Sequence, residues 1–330
     1  MCCVSFPRAN NRMQRLTALF IALCAGTGLA GDLAPGSSVF AKHKFIEYIP
    51  GDLPLVIAAS HGGNLTPAEI PDRTNSVVWM DMNTQELART IADVIHAETK
   101  HHIHLVICRL HRRKLDANRE IVEAAQGNEL AAQAWAEHHD FIDQACEAAV
   151  RQFGVAFFID LHGHAHPVPH AELGYVQDVP DLAKGDEVLN EKASISNSSL
   201  RWIAEHSRLS HTELLRGPMS FGALLEQNGF LATPSPRLPV PPEPFFRGGY
   251  TVNRHCRSDR NFTGLQIETN RPRLRDTAEN RLRFARALLS TLQTYFTAHL
   301  GFGIDGQKPT EPRVPITRLQ PAHPIQPSSQ

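Results

Sequence analysis

Four short apolar runs, each bounded by polar or turn-forming residues, recur along the chain at residues 53–59, 103–108, 155–161 and 264–269. Short, mainly apolar runs flanked by turn signals suit buried strands of a sheet. Between and after them the spacing becomes helical. Leu87, Ile91, Val94 and Ile95 share one side of a helix following Asp81. Leu282, Ala285, Leu288, Leu289, Leu292 and Phe296 share one side of another that follows Asp276, as an amphipathic helix requires. Asp276-Thr277-Ala278-Glu279 is close to a capping box at its start. A third helix, residues 129–153, carries Leu130, Ile142, Ala149 and Phe153 toward the next strand. Strand and helix in alternation predict an α/β fold, a mostly parallel mixed sheet with helices on both faces. Ligands in such sheets sit at the carboxyl ends of the strands.

Three segments break the pattern. Residues 233–246 are Pro-rich and read as an extended surface excursion, and residues 301–330, rich in Pro, Gln, Ser and Thr, read as a disordered tail with little to pack. The third is the start, where Arg8, Arg12 and Arg15 precede an apolar run at residues 16–25 and the small-residue end Gly28-Leu29-Ala30. Basic, apolar and small segments in that order form a signal peptide, and the apolar run is too short for an ordinary membrane span. The expected organisation is a signal peptide over 1–30, one domain over 31–300 and a tail over 301–330, with a secreted or periplasmic mature chain. Terminal sequencing of protein from the native host should find a mature end near Gly31; an intact Met1 or Met13 overturns this.

Composition narrows the partners. With 330 residues, 42% of them apolar, the chain can bury one large core. Its formal net charge is -1 with no sustained run of one sign, so the basic footprint of a nucleic-acid binder is missing, and no membrane association is expected once the signal is cleaved. Recognition should be local, of a small molecule in a pocket. Beyond the signal segment only Cys108, Cys146 and Cys256 remain, an odd and widely spaced trio that reads as buried small apolar residues rather than a disulfide framework.

The polar residues that interrupt the strand ends carry the chemistry. His61 follows the first run in Ser60-His61-Gly62-Gly63, Asp160-Leu161-His162-Gly163-His164 closes the third, and Glu268 lies in the last. In a parallel sheet these groups meet at one edge. A catalytic zinc takes three protein ligands and leaves a fourth position to water; His61 and His162 are two candidates, and Asp81 or Glu69 is the third. Asp81 is preferred, because it stands at a helix start where the dipole favours a carboxylate, although capping that helix would also account for it. Asp160 can orient an active-site group from behind. His164, His166 and His170 read as solvated loop residues. Glu268, a carboxylate in an apolar strand, suits a general base, with pairing to Arg271 or Arg273 as the structural alternative. After the second run comes the one dense basic cluster, from His111 to Arg119, where Arg119 with Asn118 can clamp a substrate carboxylate.

Taken in order, these pieces resemble the N-formylglutamate amidohydrolase family over about residues 53–300. They are Ser60-His61-Gly62-Gly63, Pro67 with Glu69 and Arg73, Asp81, His111-Arg112 with Leu115-Asp116-Ala117-Asn118-Arg119, Asp160-Leu161-His162-Gly163-His164, Glu172-Leu173-Gly174-Tyr175, Gly248-Gly249-Tyr250 and Gln266-Ile267-Glu268. That family is similar to the zinc carboxypeptidases and aspartoacylases, with a phosphorylase/hydrolase-like α/β fold. The resemblance implies zinc on His61, Asp81 and His162, Glu268 as base to a zinc-activated water, and substrate binding by Arg112, Asn118, Arg119 and Tyr250. The chain departs from the carboxypeptidase HxxE spacing, since Asn64 stands three after His61. Hydrolysis of an N-acyl amino acid is the implied activity. A secreted carboxypeptidase-like peptidase, favoured by the export signal, and a non-catalytic binding protein on the same fold are the alternatives.

Overall fold

The computed structural model describes residues 33–307; the expected signal peptide and the residues beyond Gln307 lie outside the described residues. Eight strands form one sheet: β1 Val39–Phe40, β2 Ile46–Ile49, β3 Leu55–Ala59, β4 His104–Cys108, β5 Ala156–His164, β6 Ala171–Gly174, β7 Ala232–Thr233 and β8 Phe262–Asn270, in the order β1-β2-β4-β3-β5-β8-β6-β7. The four apolar runs form its centre, β4-β3-β5-β8, parallel throughout. Antiparallel pairings attach β2 to β4 and β6 to β8. These flanking strands are too short to have stood out by periodicity.

Because side chains alternate across a strand, the central strands divide their residues between two cores. Leu55, Ile57 and Ala59 of β3 join one cluster and Val56 and Ala58 the other. The helix Thr84–Thr99 (α1) connects β3 to β4, and Ile121–Ala125 (α2) with Glu129–Phe153 (α3) connect β4 back past β3 to β5. The two steps run in opposite directions along the sheet, so right-handed crossovers put their helices on opposite faces. Leu87, Ile91 and Ile95 of α1 accordingly pack in the first cluster, and Ala134, Ile142 and Ala149 of α3 in the second. The helix Ala278–Tyr295 lies on the α1 side through Phe284, Leu288 and Leu292.

Caps set the helix ends. The Asn128 side chain accepts from Ala131 N at the start of α3, and Gly154 ends it in the left-handed region at φ 82°. The expected capping box at Asp276 is displaced by one residue: Thr277 is the cap, accepting from Asn280 N, while Asp276 accepts from the Asn280 side chain.

Short helices between Val179 and Gln227, too brief to leave a clear period, add Leu182, Ile203, Leu214 and Leu224 to the first core. The Pro-rich run is only partly a surface excursion: Thr233 and Ser235 are fully buried before the chain emerges. Phe302 and Ile304 continue the packing past residue 300. Cys108, Cys146 and Cys256 are free and buried, as small apolar residues would be. No helix among the described residues is long and apolar enough to cross a membrane.

Candidate metal and hydrolytic site

β5 and β8 run further than their apolar cores suggest, through His164 and Asn270. Register then places His162 opposite Glu268, and Glu268 opposite Glu172 of β6. Phe157, Ile159 and Leu161 belong to the α1-side core, so the alternation sends Asp160, His162 and His164 to the α3 side, and the same parity sends Glu268 and Glu172 there. All stand at the carboxyl end of the parallel strands, beside the point where the order reverses around β3. That edge is where such sheets bind ligands.

His61, Asp81 and His162 are gathered there, all buried, with ligand atoms within 4.8 Å of one another. His61 Nδ1 lies 3.4 Å and His162 Nδ1 3.2 Å from the same atom, Asp81 Oδ2. A good N–H···O bond is shorter, about 2.9 Å, whereas two ligand atoms on one tetrahedral zinc stand about 3.3 Å apart, given zinc–nitrogen bonds of about 2.0–2.1 Å. His61 Nδ1 is buried without a hydrogen-bond partner. The far nitrogen of each ring is backed by a carboxylate: His61 Nε2 meets Asp116 Oδ1 at 2.6 Å, and His162 Nε2 meets Asp160 Oδ2 at 2.9 Å. Imidazole held from behind by a carboxylate is the usual support of a metal ligand. On these observations the donor set fits a zinc-type ion.

Asp81 leaves the helix start to others. Asn83 occupies the N-cap of α1 without a side-chain cap bond, while the Asp81 carboxylate turns to the histidines and accepts from Gly163 N at 3.1 Å. Burial alone would raise its pKa, but the neighbouring His61 and His162 hold it well below the usual carboxylate range. Glu69 is exposed and is not among the gathered ligands. Of the two candidates for third ligand, Asp81 is the one brought to the histidines.

Glu268 is buried beside this group. Its Oε1 accepts from Gln266 Nε2 at 3.0 Å, and its Oε2 is buried with no hydrogen-bond partner. Burial pushes the carboxyl up to about 8, with His162 opposing the rise and Asp81 and Glu172 adding to it. No ion pair joins it to Arg271 or Arg273 among the described residues, so the structural alternative finds no support.

The residues expected at the substrate are arranged less uniformly. Arg112 donates from Nε to Asp116 Oδ2 at 2.9 Å and brings Nη1 to 3.7 Å from Asp81 Oδ1, against the ligand cluster. Asn118 is buried and occupied: Nδ2 lies 3.3 Å from His162 Nε2, and Oδ1 accepts from Thr251 N at 2.8 Å. Asn118 thus lies against the His162 ring and holds the helix Tyr250–His255 through Thr251, and Gly249 is required there because a Cβ would collide with the Asn118 amide. Arg119 turns outward to Glu123, 3.1 Å away. The Tyr250 hydroxyl accepts from Arg254 at 3.3 Å, so neither Arg119 nor Tyr250 touches the cluster.

Two supports carry no expectation from the sequence. Asp116 lies between Leu115 and Ala117, both fully buried, and a lone acid in such a run is the signal that marks it. Arg275, also buried, donates to Met82 O at 2.9 Å, to His164 O at 3.1 Å and to Thr269 O, stitching together the Asp81 loop and the ends of β5 and β8. Gly163 leaves it room, since a Cβ there would strike the guanidinium.

The expectation for the later histidines is corrected. His164 and His170 are buried, not solvated, because β5 extends through His164 and the loop folds back onto β6.

No sequence-family model matches this chain, and no curated protein matches it in sequence. Among solved structures it is similar to an N-formylglutamate amidohydrolase from Ralstonia eutropha JMP134, at 15% identity over 81% of this chain and 98% of that one, with a TM-score of 0.46. It is also similar to the gene product Atu2144 from Agrobacterium tumefaciens, at 13% identity over 76% of this chain and 94% of that one, with a TM-score of 0.43.

Proposed function

We propose that this chain is a metal-dependent hydrolase cleaving the amide bond of a small, carboxylate-bearing N-acyl amino acid, with N-formylglutamate as the reference substrate. The observation that carries the reading is the convergence of His61 Nδ1 and His162 Nδ1 on Asp81 Oδ2, each ring backed by its own carboxylate, next to the unpaired Oε2 of Glu268. His61, Asp81 and His162 would hold a zinc-type ion, which would supply Lewis acidity and lower the pKa of water toward neutrality.

In its ionised form, which the positive charge of a bound ion would favour, Glu268 takes the proton of the attacking water and returns it to the leaving nitrogen. Asp116 and Asp160 fix the orientation of the two imidazoles. Arg112 and Arg119 supply positive charge for the substrate carboxylate, and Arg119 engages it by leaving the half-exposed Glu123. Asn118 acts by holding the Gly249 turn beside His162, and Tyr250, whose ring packs on Trp135 and His139, is assigned to substrate binding on the resemblance of its motif. The acidic-substrate preference is supported by these arginines and by the family resemblance of the motifs. We also propose that the enzyme works outside the cytoplasm, on the support of the basic, apolar and small order of residues 1–30.

The test is a panel of N-formyl, N-acetyl and C-terminal peptide substrates offered to the metal-loaded full chain. Hydrolysis of N-formyl or N-acetyl acidic amino acids is expected. Preferential release of C-terminal residues favours a peptidase, and no turnover of any substrate by a chain that holds its metal favours a binding protein. Within the panel, Arg119→Ala should lower kcat/KM for substrates with a free carboxylate and do much less to an uncharged amide. An equal proportional loss on both removes Arg119 from substrate recognition.

A further inference from the structure

A second cluster stands one strand beyond Glu268 and has no part in the reaction described above. His164, at the end of β5, His166, in the following loop, and Glu172 of β6 bring ligand atoms within 4.8 Å of one another. Glu172 Oε1 is the focus, with His164 Nδ1 at 3.7 Å, His166 Nδ1 at 2.6 Å and His170 Nε2 at 3.7 Å. Three imidazoles around one carboxylate oxygen exceed what an ion pair needs. The 3.7 Å separations are too long for hydrogen bonds and close to the roughly 3.3 Å between neighbouring ligands of a tetrahedral zinc.

We propose that His164, His166 and Glu172 hold a second divalent ion of zinc type, with the His170 ring facing the same centre. His164 and Glu172 are held from behind as ligands need to be, while the 2.6 Å His166 Nδ1 contact to Glu172 is a hydrogen bond that ligation would exchange for the ion. His164 Nε2 lies 2.9 Å from His170 O; donation there leaves Nδ1 as the lone pair on the cluster side. That lone pair now accepts the His166 backbone N–H at 3.1 Å, a contact that ligation exchanges for the ion. Glu172 is anchored through its other oxygen, which accepts from Phe246 N at 2.8 Å, leaving Oε1 to the histidines.

His170 is an independent pointer. It is 3% exposed, neither ring nitrogen has a hydrogen-bond partner, and one of them faces Glu172. A buried imidazole nitrogen left without a partner is unfavourable, and an ion beside Glu172 would give Nε2 one. Phe246 stacks on His166 with ring centroids 4.8 Å apart, so the returning Pro-rich segment shields this side.

Two imidazoles and a carboxylate select zinc or a similar borderline metal over magnesium or calcium, which prefer oxygen. The ion would lie on the same sheet face as the first centre, with Glu268 between, since Glu172 and Glu268 are register partners.

The test is metal content of the full chain after equilibration with zinc and dialysis, with thermal melting of the same samples to establish folding. Two ions per chain are expected in the wild type, one in His162→Ala, one in His166→Gln and none in the double variant. Glu172→Gln, which can keep the Phe246 hydrogen bond, should lose the same ion as His166→Gln, so the result does not hang on one substitution. The proposal is overturned by one wild-type ion that persists in His166→Gln and vanishes in His162→Ala, or by two ions retained in both His166→Gln and Glu172→Gln. A single wild-type ion lost in His166→Gln and kept in His162→Ala upholds the second centre and sinks the first. Complete absence of bound zinc overturns both.

Discussion

His162→Ala is expected to abolish hydrolysis and to release the ion held with His61 and Asp81, because it removes one of three protein ligands. The loss should be graded by distance from the metal. Replacing a group that only supports a ligand typically lowers metal affinity by roughly 10- to 100-fold, and Asp116→Asn and Asp160→Asn should fall in that range. His162→Ala and His61→Ala should exceed it. If the cluster were only an ion-pair network, the same substitutions would lower thermal stability and leave zinc affinity unchanged. Titrating zinc into each variant by calorimetry separates the outcomes, and unaltered affinity in His162→Ala removes that residue from the site.

How far the sequence discloses this arrangement follows from the physics of each part. The central strands are legible because burial on both faces leaves apolar runs, as in Leu55 to Ala59 and Leu105 to Cys108. β6 and β7 are not, since four and two residues are too few to carry a period. His61, His162 and Glu268 are legible as polar residues where apolar strands end. Asp81 and Glu69 are indistinguishable at the level of residue type, because the loop after His61 decides which of them returns to the sheet: the Asp81 backbone N–H donates to His61 O at 3.1 Å and pins it there.

The histidines after β5 mislead for a similar reason. Nothing local in Ala165 to His170 signals that the segment folds inward; burial comes from Glu172 and from Phe246, which is distant in sequence. Asn118 and Arg119 show the limit of reading a pair from neighbouring letters. One is drawn inward by Thr251 and His162, and the other turns out to Glu123.

Glu268→Gln should keep zinc and substrate affinity while lowering kcat by roughly 10²- to 10⁴-fold, the usual contribution of general acid–base catalysis, or about 3–5 kcal/mol of barrier. The substitution preserves shape and an oxygen able to accept from Gln266, so folding should survive and the deficit should fall on proton transfer. A pH measurement on the chelator-treated protein probes the same carboxyl without turnover. Burial raises its folded-state pKa from the ordinary 4.5 to about 8. The folded chain therefore holds a proton that the unfolded chain releases above about pH 4.5, and the stability contributed by this group is complete below that pH and lost as pH rises through about 8. Glu268→Gln cannot titrate, so its melting temperature should gain on that of the wild type as pH rises from about 5 to 9. A variant that runs parallel to the wild type across that range, or that loses zinc together with kcat, would show that Glu268 serves the fold or the metal rather than the proton.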